Sequence, residues 1–404
     1  MSVQVDLNVS IQAFYKYQKK LFVLLGLWAL PPGTSLLKKV LYHLNFVHIL
    51  LFWIVAYMLS MFTYLYLNRN DLIAVIGVLY YFFMEISVFS KCFGIKIQNK
   101  IYKELIDLLH EEKFRPQNNR EFDILSECVA TTRFTRNMYC ILSLACLISW
   151  SLQPLVLGER SLPVSAYYPM SLDGNFLFIV MYIYQVIGMS FFCFINIAYD
   201  SWAASQQIQV SCLLKFLLER LKDIGHDTMD QERIKSRLIE CIVFHKDILK
   251  YVKKLEGVIQ GPYTVQIGGS IIVICASFFK LSFISTSDDQ IGLLMMLLYQ
   301  ICMTLQIFFA CYFGNEIATN SNLLDFYLYD ANWFGWNSSN KKIMLIMMAR
   351  FKKPIKITAI KLYTFDLNMF TKVSRVSLYQ LESVQSSALI CYRIIGKKYY
   401  YYYF

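Results

Sequence analysis

Seven stretches of this chain are long and apolar enough to cross a bilayer, and polar or basic segments separate them. They fall at residues 40–67, 72–93, 137–157, 176–202, 265–285, 291–313 and 367–385. Each supplies about 20 residues or more, the length that a ~30 Å hydrocarbon layer requires at 1.5 Å of helical rise per residue. The pattern predicts an all-α, polytopic membrane protein: one seven-helix domain over residues 1–404. The first six spans hold few ionisable residues. Glu85 lies in the middle of span two, and can serve as a functional carboxylate, pair with Lys91 further along the helix, or face another helix. Asp200, which closes span four, reads as an interfacial acid.

The segments between spans keep helical periodicity. Leu213, Phe216, Leu217 and Leu221 form one stripe, and Ile234, Leu238, Ile242, His245, Leu249, Val252 and Ile259 recur at steps of three, four or seven. Residues 206–261 therefore read as amphipathic helices outside the membrane. They either cap their own subunit or build a platform for assembly, and periodicity alone leaves both open. Residues 314–364 carry a helix over 341–351 that Pro354 stops or kinks, and Asp366 is placed to cap the final span.

That final span is unusually polar. Lys372, Arg375, Tyr379 and Glu382 follow at steps of three, four and three, with Ser383 next to Glu382, while Phe370, Val373, Ser377, Leu381 and Val384 form a more apolar face. Charges at that depth need water or partners, so several copies around an axis would line a conduit. The competing reading is snorkelling, since Lys372 lies only about 9 Å along the helix from its start.

Composition agrees with a membrane protein: 57% of residues are hydrophobic and 16% aromatic, against about 45–50% apolar content in soluble domains. The net charge of +11 is explained by location, which removes the reason to expect a nucleic-acid partner. The N-terminal segment and the segments 94–136, 206–262 and 314–364 hold 5, 8, 10 and 7 Lys and Arg, 30 of the 39. The other side holds Arg69, Arg160, Arg393, Lys397 and Lys398. The positive-inside rule then places the N terminus in the cytoplasm and, after seven crossings, the C terminus outside.

No Walker loop, HExxH, GxSxG or cluster of His and carboxylates is present, so neither enzyme chemistry nor a cofactor or metal site is expected. The 11 cysteines form no CxxC pair and sit mostly in apolar spans, as buried thiols do. The outer halves of spans two, three, four and six hold Tyr80, Tyr81, Trp150, Tyr182, Tyr184, Met295, Met296 and Tyr299. Such side chains suit a small volatile or lipophilic ligand held by shape, and equally suit ordinary helix packing.

Two stretches resemble a known family. One is Leu238-Ile-Glu-Cys-Ile-Val-Phe-His245-Lys-Asp-Ile-Leu-Lys-Tyr251. The other begins at Cys311-Tyr-Phe-Gly314-Asn315-Glu316 and continues through Trp333, the run Lys342 to Pro354, and Phe370-Thr-Lys372-Val373. Together they are similar to insect odorant receptors, the inverted seven-transmembrane family. The resemblance implies an odorant-gated, non-selective cation channel in the plasma membrane of sensory neurons. There a tuning subunit joins a shared co-receptor in a hetero-oligomer, a tetramer. It also implies an odorant pocket in the outer half of the bundle, a subunit anchor including His245, Leu249, Trp333, Ile346 and Arg350, and a pore helix at 365–385. No long insertion follows span four, which favours a tuning subunit over the co-receptor. After about Ser377 the chain departs from the family, and residues 386–404 form an atypical tail. A gustatory receptor channel is the nearest alternative. A G-protein-coupled receptor is disfavoured by the charge bias, and a transporter by the absence of an internal repeat.

The sequons Asn8-Val-Ser and Asn337-Ser-Ser fall on the predicted cytoplasmic side. Neither is expected to be glycosylated; a glycosidase-sensitive mass shift traced to either asparagine overturns this topology.

Overall fold

The computed structural model describes residues 11–375 except 32, 159, 227–229, 284–289 and 360–362. A short helix α1 (Lys16–Leu24) precedes α2 (Leu36–Leu67), whose middle, Ile49–Val55, winds as a π-helix. Then follow α3 (Leu72–Ile97), α4 (Asn99–Leu109), α5 (Asn119–Val156), α6 (Asn175–Lys222), α7 (Gln231–Phe283) and α8 (Gln290–Asn322). The short α9 (Leu324–Tyr329) and α10 (Ser338–Phe351) lead to a two-stranded antiparallel ribbon, Thr358–Ala359 with Tyr363–Thr364, and to helical residues 367–375.

Six of these helices, α2, α3, α5, α6, α7 and α8, are long and apolar enough to cross a membrane. The seventh expected span is described over residues 367–375 only; its remainder, with Tyr379, Glu382 and Ser383, lies outside the described residues.

The amphipathic segment 206–261 is not a separate element. Its first part is the end of the 48-residue α6 and its second the start of the 53-residue α7. At 1.5 Å per residue these helices run about 72 and 80 Å, more than twice the hydrocarbon thickness. Nothing between Met189 and Lys222 breaks α6, since that stretch holds neither Gly nor Pro.

The centre of α6 also differs from a one-sided stripe. Every residue from Ile195 to Leu214 is buried, including Asn196, Asp200, Gln206, Gln207 and Gln209. A helix covered on all sides is a core post rather than a surface element. Around it stand α1, where Gln18 donates to Ser205 at 3.2 Å, and the faces of α3, α5, α7 and α8.

At the basic end of the bundle, Asn118 caps α5 by accepting from the Glu121 N–H at 2.8 Å. Glu121, fully buried, takes a two-pronged contact from Arg220 of α6 at 2.8 and 2.9 Å. Such a fork joins charge to fixed geometry. Asn337 of the second sequon caps α10 through the Asn340 N–H at 2.8 Å, and Asp366 caps the last helix through the Met369 N–H at 2.8 Å.

Close backbone approach sets two junctions. A side chain on Gly94 of α3 would lie 2.9 Å from the Pro262 ring carbon Cγ of α7. A Cβ on Gly314 of α8 would overlap the Phe365 carbonyl and approach Phe365 Cβ to 2.8 Å, so glycine is what lets the lead-in of the last helix lie on α8.

Gly314→Val is expected to cost about 1–3 kcal/mol through overpacking and to lower the thermal midpoint of the detergent-solubilised protein. Gly268→Ala, with nothing within 4 Å of its added methyl, leaves the midpoint unchanged or raises it slightly.

Candidate functional site

A cavity of ≈ 70 Å³ lies inside the bundle between α3, α5, α6 and α8. Its wall is built from Tyr81, Met84 and Glu85 of α3, Ser143, Cys146, Leu147 and Trp150 of α5, Met189, Phe192 and Cys193 of α6, and Tyr299, Cys302 and Met303 of α8. Tyr139, Asn196 and Gln306 complete the lining. The space holds a few waters or part of a small ligand, so a ligand of some ten heavy atoms enters only if flexible wall groups such as Met84, Met189 and Met303 turn aside.

One side of the cavity is an aromatic cluster. The Tyr81 ring centroid is 5.1 Å from Trp150 and 6.0 Å from Tyr299, and Trp150 lies 6.2 Å from Tyr299. Tyr80 packs against all three at 4.8 to 6.2 Å. Beyond the cluster, a second space of ≈ 110 Å³ is lined by Gly77, Tyr80, Tyr81, Trp150, Gln153, Pro154 and loop residues 161–165. Tyr81 and Trp150 line both spaces and so form the partition between them.

The opposite side is polar. Lys91 of α3, fully buried, donates to Asn196 Oδ1 at 2.7 Å and to Asp200 Oδ2 at 2.9 Å, with Asp200 Oδ1 at 2.8 Å. Tyr139 donates to Asp200 Oδ2 at 3.0 Å and accepts from Gln306 Nε2 at 2.7 Å, while Gln306 Oε1 accepts from Gln266 of α7 at 3.0 Å. This chain of bonds links five helices, and three of its members line the cavity. It corrects two expectations. Asp200 is no interfacial acid: it sits 7% exposed inside the bundle, because its charge is matched by Lys91. Lys91 is thereby committed, and does not pair with Glu85.

Of the residues expected to bind ligand, Tyr81, Trp150 and Tyr299 line the cavity, with Tyr80 behind them. Tyr182 lies outside it and donates to the Ser151 carbonyl. Tyr184 faces α2, donating to the Phe52 carbonyl at 2.8 Å and stacking on Trp53 at 5.1 Å. Met295 and Met296 are buried but are not part of the lining. Sequence reasoning did not gather Met84, Tyr139, Phe192, Asn196 and Gln306. The available signal was the helical step: Tyr81, Met84 and Glu85 sit at i, i+3 and i+4 on α3.

On the last helix, Lys372 and Arg375 are exposed while Met369 and Val373 are buried against the bundle. Among the anchor candidates, His245 is buried with its ring 5.0 Å from Phe351 in an edge contact. Burial, with Arg350 adding to it, pushes the His245 pKa down to about 4, so the imidazole is neutral near pH 7. Leu249 is half-buried, Trp333 stacks on Phe334 at 4.5 Å, and Ile346 and Arg350 face outward.

A family model described as the 7tm odorant receptor matches residues 71–378. Odorant receptor 46a of Drosophila melanogaster is similar over nearly the whole length. Isoform A is 28% identical, covering 92% of this chain and 97% of its own; isoform B is 30% identical, covering 90% and 96%. The fold is that of the insect olfactory receptor OR5 from Machilis hrabei, solved in complex with eugenol. That structure has a TM-score of 0.80 at 17% identity and covers 92% of this chain and 98% of its own.

Removing one partner of a buried ion pair leaves the other charge uncompensated. Lys91→Met is expected to cost about 3–5 kcal/mol, read as lost surface expression or a lowered thermal midpoint. Lys91→Met combined with Asp200→Asn should recover part of that loss; a double variant no better than the single one rules out the pairing as the source.

Proposed function

Because this chain belongs to the odorant receptor family, we propose that it is the ligand-tuning subunit of an odorant-gated, non-selective cation channel that works with a shared co-receptor. As a member of that family it is a multi-pass membrane receptor for odorants. The proposal adds the gating mechanism, the partner, a tetrameric hetero-oligomer and a place in the plasma membrane of sensory neurons, with the basic end cytoplasmic.

The observation that carries the mechanism is the double role of α8. One part of it walls the cavity through Tyr299, Cys302, Met303 and Gln306. Two residues after Gln306, Phe308 meets Phe370 of the last helix at 5.5 Å, and Gly314 receives the Phe365 backbone. A ligand that pushes apart the walls of so small a cavity must displace α8 or the side chains on it. A packed helix passes such a shift along its length instead of absorbing it. The last helix is the element that moves in response.

The exposed face bearing Lys372 and Arg375 supports a water-lined conduit at 365–385, which Tyr379, Glu382 and Ser383 extend by sequence step. Exposed apolar side chains beyond the membrane support an anchor built from 206–261 and 314–364. Leu345, Ile346 and Phe334 are 64%, 71% and 75% exposed in the single subunit, and such patches mark protein contacts. Residues 386–404 are left as a tail with no assigned part in gating.

The test is expression with and without the co-receptor, recording whole-cell current under a panel of small hydrophobic odorants. Cation current that requires the co-receptor and persists when G-protein signalling is blocked is the expected result. Current that needs G proteins and rises with second-messenger delay overturns the channel reading.

A further inference from the structure

Glu85 stands apart from Tyr139, Asn196 and Gln306 of the cavity wall, which the Lys91–Asp200 network engages at the opposite side. Its side chain is 3% exposed, lines the cavity and leaves Oε2 buried with no hydrogen-bond partner. Lys91, two turns along the same helix, is held by Asp200 and Asn196 and offers it nothing. One turn before Glu85, Tyr81 lines the same space, and its hydroxyl is likewise buried without a hydrogen-bond partner. Residues at i and i+4 stand on one face of a helix, about 5–6 Å apart at Cβ. The same face of α3 thus brings an acceptor and a hydroxyl donor to a cavity whose remaining wall is largely Met, Cys and aromatic.

Buried polar groups of this kind carry a cost until something satisfies them. We infer that the cavity selects a compact apolar ligand bearing a hydroxyl group, which donates to Glu85 Oε2 and accepts from the Tyr81 hydroxyl. A hydroxyl supplies both halves from a single atom. The corresponding methyl ether accepts from Tyr81 but brings no donor to Glu85, and the hydrocarbon brings neither. Discrimination comes mainly from the analogue that leaves a buried group unpaired, which is how polar sites reject ligands lacking one hydroxyl.

This inference rests on the receptor reading above. The test uses the full chain expressed with the co-receptor and compares current evoked by benzyl alcohol, 2-phenylethanol and 1-hexanol, each alongside its methyl ether and parent hydrocarbon. The best alcohol is expected to be about tenfold or more potent than its ether. Glu85→Met should bring that ratio close to one. Glu85→Gln, which keeps an acceptor oxygen, should hold it within about threefold of the wild-type value. Tyr81→Phe removes the donor that alcohol and ether share, so it should weaken both and lower the ether-to-hydrocarbon ratio severalfold, a readout that remains even where Glu85→Met fails to reach the cell surface. Equal potency of alcohol and ether in the wild type, an alcohol-to-ether ratio that Glu85→Met leaves unchanged, or an ether-to-hydrocarbon ratio that Tyr81→Phe leaves unchanged, overturns the inference and leaves the receptor reading intact. If no member of any series evokes current in surface-expressed wild type, the receptor reading fails and the inference falls with it.

Discussion

The ion pair between Lys91 and Asp200 fixes how the helices of this bundle meet. Removing two charges from water costs several kcal/mol per ion, and the arrangement survives only because the remaining bonding capacity is taken up. Tyr139 serves Asp200, Asn196 serves Lys91, and Gln306 and Gln266 carry the chain of bonds to α8 and α7. In a bilayer, apolar faces alone discriminate poorly between a neighbouring helix and lipid, so polar contacts and small residues must set the register. Here one network does so for five helices at a single level. The cavity is built directly on it, sharing Tyr139, Asn196 and Gln306.

Small residues complete what the ion pair begins. Gly94 admits the Pro262 ring, Gly269 lies 3.4 Å by its would-be Cβ from the Phe83 carbonyl, and Gly314 admits Phe365. The first two draw α3 and α7 together along their length. The third joins the lead-in of the last helix to α8. Because α8 also walls the cavity, the distance from the cavity to the final helix is bridged by one continuous helix with no loop between. The aromatic partition of Tyr81 and Trp150 lies at the other end of the cavity, between it and the space beneath loop 161–165. Entry from that side requires these rings to turn, while the charged floor stays in place.

Much of the architecture could be read from the order of residues. Apolar runs of about 20 residues identified the membrane helices, Pro354 and Asp366 marked the end of one helix and the start of another, and the basic segments fell on one side of the alternation. These features depend on neighbours in sequence: helical rise, capping chemistry and local hydropathy act within a turn or two. The resemblance rested on the same kind of local pattern around His245 and Gly314.

The pairing of charges, by contrast, depended on which helices lie side by side. Glu85 and Lys91 are near each other in sequence, yet Lys91 belongs to Asp200, more than a hundred positions away. Tyr81, Trp150 and Tyr299 became one wall only after α3, α5 and α8 were packed together, and Tyr184, similar in kind, turned out to face α2. In α6 the expected stripe of Leu213, Phe216, Leu217 and Leu221 is buried, but over residues 206–214 the surroundings also cover the polar side, which the periodicity left open. Sequence by itself determined that this chain makes membrane-spanning helices and which family pattern they follow, because those properties are set by short-range chemistry. Tertiary structure alone decided where the cavity is, which carboxylate stands unpaired in it and which helix links it to the last span, because each is a contact between residues that the chain brings together only by folding.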